Sequence, residues 1–374
     1  MFDFPNSPTI GQQVIEPNGA AVQWDGTKWA SVAGQVSSVA PLYNNIGRNL
    51  IHNSMFNIAQ RGSAAFSTVG YTLDRWRLDF SLDTTAVQQI DNDDAHRTQI
   101  GDEAATKLMY VSVTGNSGAG AFTVVSQFME DVRRLAGKTV TVSFWAYATA
   151  GTPKIGVAAQ QYFGTGGSPS AAVSINGTPI TLSTTAMRYS VTFTYPSIIG
   201  KTVGTNPDHY SRLALFFSSG ATNNAFAGGI GVQTANFILW GVQLEIGSTM
   251  TPLEKLDPRI ELSNCQRFFE RKSLLLNEGL GVGTVQTVSS PVTAYFIMVP
   301  YKVTKRAVPT TTMSAPNTFT VAGLACSNVS VGASTNAAWM HFAATGGSTG
   351  ANWAAVPVAS DGSLPAYIDF SADL

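Results

Sequence analysis

Charge is what this 374-residue chain has least of. Charged side chains make up 12% of it, about half the share usual in globular domains, which excludes a dense net of surface ion pairs. The 22 lysines and arginines balance 23 acidic residues to a net charge of -1. That leaves no basic excess for neutralising phosphates, so nucleic acid is not expected as a partner. Cysteine is scarce too. Cys265 and Cys326 cannot make a disulfide framework and lack the CxxC or Cys/His spacing of a zinc site, so both are expected as buried free thiols. There is no apolar run of about 18 residues, and Met1-Phe2-Asp3-Phe4-Pro5 lacks a charged region followed by an apolar one, so neither membrane insertion nor a secretory leader is expected. What is present is 34 serines, 39 threonines and 35 glycines, which predict a surface of hydroxyls, amides and glycine. The 44% hydrophobic and 10% aromatic content is enough to offset chain entropy, so the chain folds, as two or three domains.

Strand signals dominate, because short runs rich in Val, Thr, Phe, Tyr and Trp alternate in period two between Gly, Pro, Asn and Ser clusters. Residues 1–45 form a small unit in which Asp25-Gly26, between Val22-Gln23-Trp24 and Thr27-Lys28-Trp29, signals a two-residue hairpin turn. So short a segment makes a poor core of its own and is expected to dock on something else. From 46 to 250 the runs Arg75–Phe80, Lys107–Thr114, Phe122–Phe128, Lys138–Thr149, Lys154–Tyr162, Tyr189–Tyr195, Arg212–Phe217 and Ala235–Glu245 suit a two-sheet jelly roll. Asp91–Glu103 reads as a polar loop, and Glu130–Leu135 as a helical turn. In 251–272, Asp257-Pro258 supplies an N-cap and a first-turn proline, and Ile260, Leu262, Cys265, Phe268 and Phe269 follow at near-helical spacing. A short amphipathic connecting helix is expected there. Residues 273–374 return to strand patterns and are expected to form a C-terminal β-sandwich tip. The fold class is therefore all-β: a jelly-roll body, an N-terminal hairpin module and a β tip joined by a short helix.

Within this frame lie the blocks Asn49-Leu50-Ile51-His52-Asn53-Ser54-Met55-Phe56-Asn57-Ile58-Ala59-Gln60-Arg61-Gly62 and Tyr71-Thr72-Leu73-Asp74-Arg75-Trp76. Ile100–Thr106, Val140–Ala146, Phe163–Ser170, Val242–Ser248, Thr251–Glu254 and Cys265–Glu270 follow. In this order they resemble tail-fibre and receptor-binding proteins of tailed bacteriophages. The resemblance implies a jelly roll like that of carbohydrate-binding modules, carried in homotrimeric virion fibres. Phe4-Pro5-Asn6-Ser7-Pro8-Thr9-Ile10-Gly11-Gln12 with the Trp24–Trp29 hairpin resembles a short module at the start of phage tail proteins, which implies virion attachment through residues 1–45 with Phe4, Trp24 and Trp29 as candidates.

Candidate ligand residues are aromatics set among hydroxyls, since a sugar stacks its apolar C–H face on a ring while polar groups meet its rim. Alternation in Val140–Tyr147 puts Val140, Val142, Phe144 and Ala146 on one face and Thr141, Ser143, Trp145 and Tyr147 on the other. The second face is a candidate glycan platform; the alternative is that Trp145 belongs to the inter-sheet core. Tyr162 and Phe163 root the glycine-rich loop Gly164–Pro169, which either lines a saccharide site or is a shaped turn with packed aromatics. Asp208-His209-Tyr210 offers hydrogen-bonding and stacking groups, or is a solvated loop.

Catalytic and metal signals are thin. Asp91, Asp93, Asp94, Asp102 and Glu103 could supply oxygens to a structural calcium, but they fail the EF-hand spacing; no cofactor is expected. Gly346-Gly347-Ser348-Thr349-Gly350 lacks the context of a nucleophile elbow, and Gly279-Leu280-Gly281-Val282-Gly283 lacks that of a dinucleotide site. A glycan depolymerase needs two carboxylates roughly 5 to 9 Å apart, and no spacing picks a pair from Asp74, Asp79, Glu130, Asp131, Asp208 and Glu245. The expectation is a non-enzymatic fibre protein, made in the host cytoplasm and located in the virion. Its expected partners are two further copies of itself, a tail or other virion protein, and host-surface polysaccharide or lipopolysaccharide. The alternatives are a fibre-borne depolymerase, or a head or collar decoration without receptor binding.

Overall fold

The computed structural model describes residues 4–15, 21–31, 47–274, 279–289, 292–321, 324–345, 355–360 and 366–374. The chain divides into two compact units, Met1–Gly47 and Arg48–Leu374.

In the first unit β1 (Gln13–Ile15), β2 (Ala21–Trp24) and β3 (Trp29–Ser31) form an antiparallel sheet. Trp24 pairs directly with Trp29, so the hairpin loop is the four residues 25–28 rather than the expected two-residue turn. Asp25 dictates the longer loop: its carboxylate accepts from the Thr27 amide and hydroxyl at 2.8 Å each and from the Lys28 amide at 2.9 Å. Those bonds, the Lys28 amide foremost, hold its carboxyl below the ordinary range.

The second unit opens with β4 (Gly70–Tyr71), β5 (Trp76–Ser81), β6 (Thr84–Asp91), α1 (Asp94–Ile100), β7 (Lys107–Thr114), β8 (Phe122–Glu130) and β9 (Thr139–Ala148). It continues with β10 (Lys154–Tyr162), β11 (Val173–Thr181), β12 (Met187–Thr194), β13 (Tyr210–Ser219) and β14 (Ala235–Ile246). These strands make a six-stranded sheet in the order β11-β10-β13-β8-β5-β4 and a five-stranded one in the order β12-β9-β14-β7-β6. The two sheets stack as a jelly-roll sandwich. Trp76, Val142, Phe144, Leu215, Phe217 and Phe237 fill the space between them, each supplied by every second position of its strand. Gly241 sits in the bulge between Trp240 and Gln243 with φ at +61°. This extra residue restores alternation, so Leu239, Val242 and Leu244 all face the core. The expected polar loop at 91–103 instead contains α1, because Asp93 caps it through the His96 amide and Gly101 closes it in the left-handed region.

Next come α2 (Pro258–Gln266), β15 (Phe269–Leu274), β16 (Gly279–Ser289), β17 (Val292–Pro300), β18 (Thr310–Met313), β19 (Phe319–Val321), β20 (Leu324–Ala333), β21 (Ala337–Thr345), β22 (Ala355–Ser360) and β23 (Ala366–Ser371). Asp257 caps α2 and Pro258 opens it. The helix does not carry one apolar stripe, however. Cys265, Phe268 and Phe269 are buried within the chain, whereas Ile260 is 54% and Leu262 37% exposed. The expected sandwich tip is replaced by a closed barrel, β16-β17-β21-β20-β19-β22, beside a three-stranded sheet, β15-β23-β18. Closure removes the free sheet edges that two stacked sheets would leave.

This C-terminal part belongs to the same compact unit as the sandwich. The Tyr71 hydroxyl donates to the Leu374 carbonyl at 2.6 Å, Gln60 Nε2 to the Phe269 carbonyl at 2.9 Å and Arg306 Nη1 to the Pro207 carbonyl at 2.7 Å. Arg61 pairs with Asp373. Gly279–Gly283 lies on β16 in the barrel, and Gly346–Gly350 lies outside the described residues.

Candidate functional site

A two-sheet sandwich has two outer faces, and the residues packed over each decide which can meet a ligand. On the five-stranded sheet, Thr141, Ser143, Trp145 and Tyr147 do face away from the core, so Trp145 is not an inter-sheet residue. The face is largely covered, with Trp145 keeping partial exposure. Trp145 packs against Trp240 at 5.2 Å between centroids, the Arg188 guanidinium lies 4.6 Å from its ring centroid, and a side chain at Gly241 would stand 3.0 Å from its ring. Tyr147 is stacked on His96 at 4.3 Å and 10°, is 7% exposed, and burial pushes its phenol up to about 12. Thr141 donates to the Gly247 carbonyl at 2.9 Å, and Ser143 accepts from Arg188 at 2.9 Å. Trp145 and Tyr147 therefore stack on the protein itself.

The outer face of the six-stranded sheet is half covered. Ala227 and Ile230 cap Val124, Ala158, Ala214 and Phe216 at one end, and Gly156 is glycine because a Cβ there would overlap the Ala227 carbonyl. At the other end Tyr162 of β10 stands directly opposite Tyr210 of β13, with ring centroids 4.9 Å apart. Tyr210 meets Phe128 edge to face at 4.8 Å. In the next row Gln160 stands opposite Arg212 and Arg212 opposite Phe128. Arg212 Nε donates to Ser126 Oγ at 2.9 Å, and Gln160 Nε2 to Ser174 Oγ at 3.2 Å. Arg77 and Asp79, paired at 3.0 Å, lie on the same face. Both tyrosines and Arg212 are partly exposed. Burial raises the Tyr210 phenol and lowers the Arg212 guanidinium from its ordinary value. The result is an aromatic pair ringed by amide, guanidinium and hydroxyl groups.

Tyr162 and Tyr210, separate candidates in the sequence, are thus brought together. Phe163 is not part of the face: it is fully buried. His209 sits beside the pair, its Nδ1 accepting from the Val132 amide at 3.3 Å and its Nε2 3.3 Å from Arg133 Nη1. The Gly164–Pro169 loop is a shaped turn, with Gly164, Gly166, Gly167 and Ser168 all at positive φ. It is pinned where the Asp208 carboxylate accepts from the Thr165 amide and hydroxyl at 2.8 and 2.6 Å. Burial would raise the Asp208 carboxyl, but those bonds outweigh it and hold it low. Gln160, Arg212, Ser126 and Phe128 were not singled out from sequence. Their one local signal is parity, since Tyr210 and Arg212, like Tyr162 and Gln160, are two residues apart.

The carboxylates weighed for catalysis are engaged. Asp74 accepts from the Gln60 amide and Nε2 at 2.6 Å each, Glu130 pairs with Arg267 at 3.0 Å, and Asp131 with Arg133 at 3.3 Å. Glu245 accepts from the Thr251 amide at 2.8 Å and hydroxyl at 2.6 Å. Of the calcium candidates, Asp91 pairs with Lys107, Asp93 with His96, Asp94 and Glu103 with Arg97, and Asp102 with Lys255. Among the described residues no three or more His, Cys, Asp or Glu converge as a metal set. In the N-terminal unit Phe4 stacks on Trp29 at 5.2 Å, and Trp24 packs against the same ring at 5.6 Å.

No family model matches the chain, and no curated protein matches it. Among solved structures, the enzymatically active domain of tailspike protein 4 of bacteriophage CBA120 is similar over 53% of this chain and 21% of its own, at 15% identity and a TM-score of 0.31. A CBM4 structure is similar over 53% of this chain and 99% of its own, at 13% identity and a TM-score of 0.30. The family 11 carbohydrate-binding module of Clostridium thermocellum, in complex with a β-1,3-1,4-mixed-linked tetrasaccharide, is similar over 51% of this chain and 98% of its own, at 11% identity and a TM-score of 0.29.

Proposed function

We propose that this chain is a non-enzymatic adhesive protein of a tailed-phage fibre that holds host-surface polysaccharide or lipopolysaccharide on the outer face of its six-stranded sheet. The observation that carries the reading is the Tyr162–Tyr210 pair, two partly exposed rings 4.9 Å apart among Gln160, Arg212 and the Arg77–Asp79 pair. Rings receive the apolar faces of sugar units while amide and guanidinium groups bond to hydroxyls, a chemistry that needs little net charge. Attachment to the particle falls to the first unit, whose Phe4, Trp24 and Trp29 rings pack together. Placement in a virion fibre and assembly as a homotrimer rest on the resemblance of the Asn49–Glu270 blocks to phage receptor-binding proteins. Three copies would raise weak single-site affinities by avidity.

The test is retention of the purified full chain on immobilised host lipopolysaccharide or capsule. Replacing both Tyr162 and Tyr210 by Ala should lower retention by about tenfold or more at an unchanged melting temperature. Retention equal to that of the unmodified chain would sink the site, new reducing ends released from the glycan would sink the non-enzymatic reading, and a monomer in light scattering would sink the trimer.

A further inference from the structure

We infer that the outside of the C-terminal barrel carries a second saccharide platform, built on Trp339 and independent of the tyrosine face. Along β21 the alternation is strict: Ala338, Met340 and Phe342 are fully buried in the barrel, so Trp339 and His341 point outward. Trp339 is 52% exposed, a large apolar area to leave in water. Its cross-strand neighbours explain how it lies. On one side it is opposite Gly332 of β20, where a Cβ would overlap Nε1 and Cε2 of the indole and stand 2.6 Å from Cζ2. The indole therefore lies against Gly332 of β20, and half of it stays exposed to solvent. Glycine inside a strand weakens the strand, and here it marks that close approach.

On the other side Trp339 is opposite Met298 of β17, itself 70% exposed, which widens the apolar seat. In the next row His341 is opposite Ser330, with His341 Nδ1 3.3 Å from the Ser330 hydroxyl. Neither row contains a Lys, Arg, Asp or Glu. An exposed indole with an imidazole and a hydroxyl beside it matches a neutral pyranose, whose C–H face stacks on the ring while its hydroxyls meet the polar row. With the tyrosine face also occupied, the chain would hold one glycan at two points and gain effective concentration.

The test uses the full chain labelled with 5-fluorotryptophan, the Trp339 fluorine resonance being identified by its loss in Trp339→Phe. Cellohexaose, maltohexaose and mannotriose are titrated separately to millimolar concentration. The expected result is a saturable shift of the Trp339 resonance with at least one of them. It should be retained when Tyr162 and Tyr210 are both Ala, and weakened by about tenfold or more in Gly332→Val. Gly332→Ala serves if Gly332→Val fails to fold. The inference is overturned if none of the three sugars moves the resonance, if the glycine variant binds as the unmodified chain does, or if the shift follows protein concentration instead of sugar, which would assign the patch to a second copy of the chain. Loss of the tyrosine face alone would leave the Trp339 result standing, so the two readings fail separately.

Discussion

The guanidinium of Arg75 lies 3.2 Å from the ring centroid of Phe268, and both side chains are almost completely withdrawn from water. Arg75 precedes β5 in the sandwich, at a φ of +71°, and Phe268 leads into β15. A parallel contact sets Arg61 over Phe269 at 3.4 Å, and both arginines reach Asp373 near the chain's end. Two cations, two rings and one carboxylate thus join the sandwich to the C-terminal strands. Removing the carboxylate leaves buried positive charge without its counterion, so Asp373→Ala should lower unfolding free energy by about 3–5 kcal/mol. Urea denaturation of the full chain checks this, and a loss near zero would show the network to be dispensable.

Trp145 and Tyr147 should behave as stability residues rather than ligand residues. Trp145→Ala removes the ring held between Arg188, Trp240 and Gly241 and should cost about 3–5 kcal/mol. At a temperature where the variant remains folded, its retention on glycan should match that of the unmodified chain. A variant that keeps its stability but loses retention would return the site to the five-stranded sheet.

Gly156 should tolerate no side chain. Because a Cβ there would overlap the Ala227 carbonyl, Gly156→Val must push the 221–230 segment off the six-stranded sheet or shift β10. The expected cost is about 1–3 kcal/mol, with faster proteolytic cleavage within 221–230. Cleavage at the original rate would mean that the segment does not rest on Gly156.

Acid should destabilise the protein partly through His52. Burial first, and then the charges of Arg75, Arg134 and Arg267, lower its folded-state value to about 3 from an ordinary 6.5, and its Nδ1 has no hydrogen-bond partner. Above 6.5 the imidazole is neutral in both states and the pH has no effect through it. As pH falls from 6.5 toward 3 the unfolded chain takes up a proton that the folded chain refuses, so stability drops by up to about 1.4 kcal/mol per pH unit. Stability curves measured at several pH values should be flatter over that interval in His52→Gln, and parallel curves would exclude His52 as the source.

Much of the architecture is written locally. The alternation of Lys107–Thr114 and Lys154–Tyr162 marks β7 and β10 to the residue, and Asp257-Pro258 starts α2 because a capping carboxylate and a proline act within one turn. β11 carries no such local signal, since Gly177 and Pro179 interrupt its pattern. It tolerates them because it is an edge strand whose glycine lies against the Phe226 carbonyl.

Which residues share a face follows from alternation, a property of neighbours two positions apart. Which face stays open depends on what the fold packs over it. Trp145 is packed by Arg188 and Trp240 and Tyr147 by His96, residues distant in the chain whose arrival no periodicity announces. Tyr162 and Tyr210, with no local relation, become partners because β13 inserts between β8 and β10. In both cases side-chain direction is set by the backbone of one strand, whereas exposure is set by whatever else the fold packs against it.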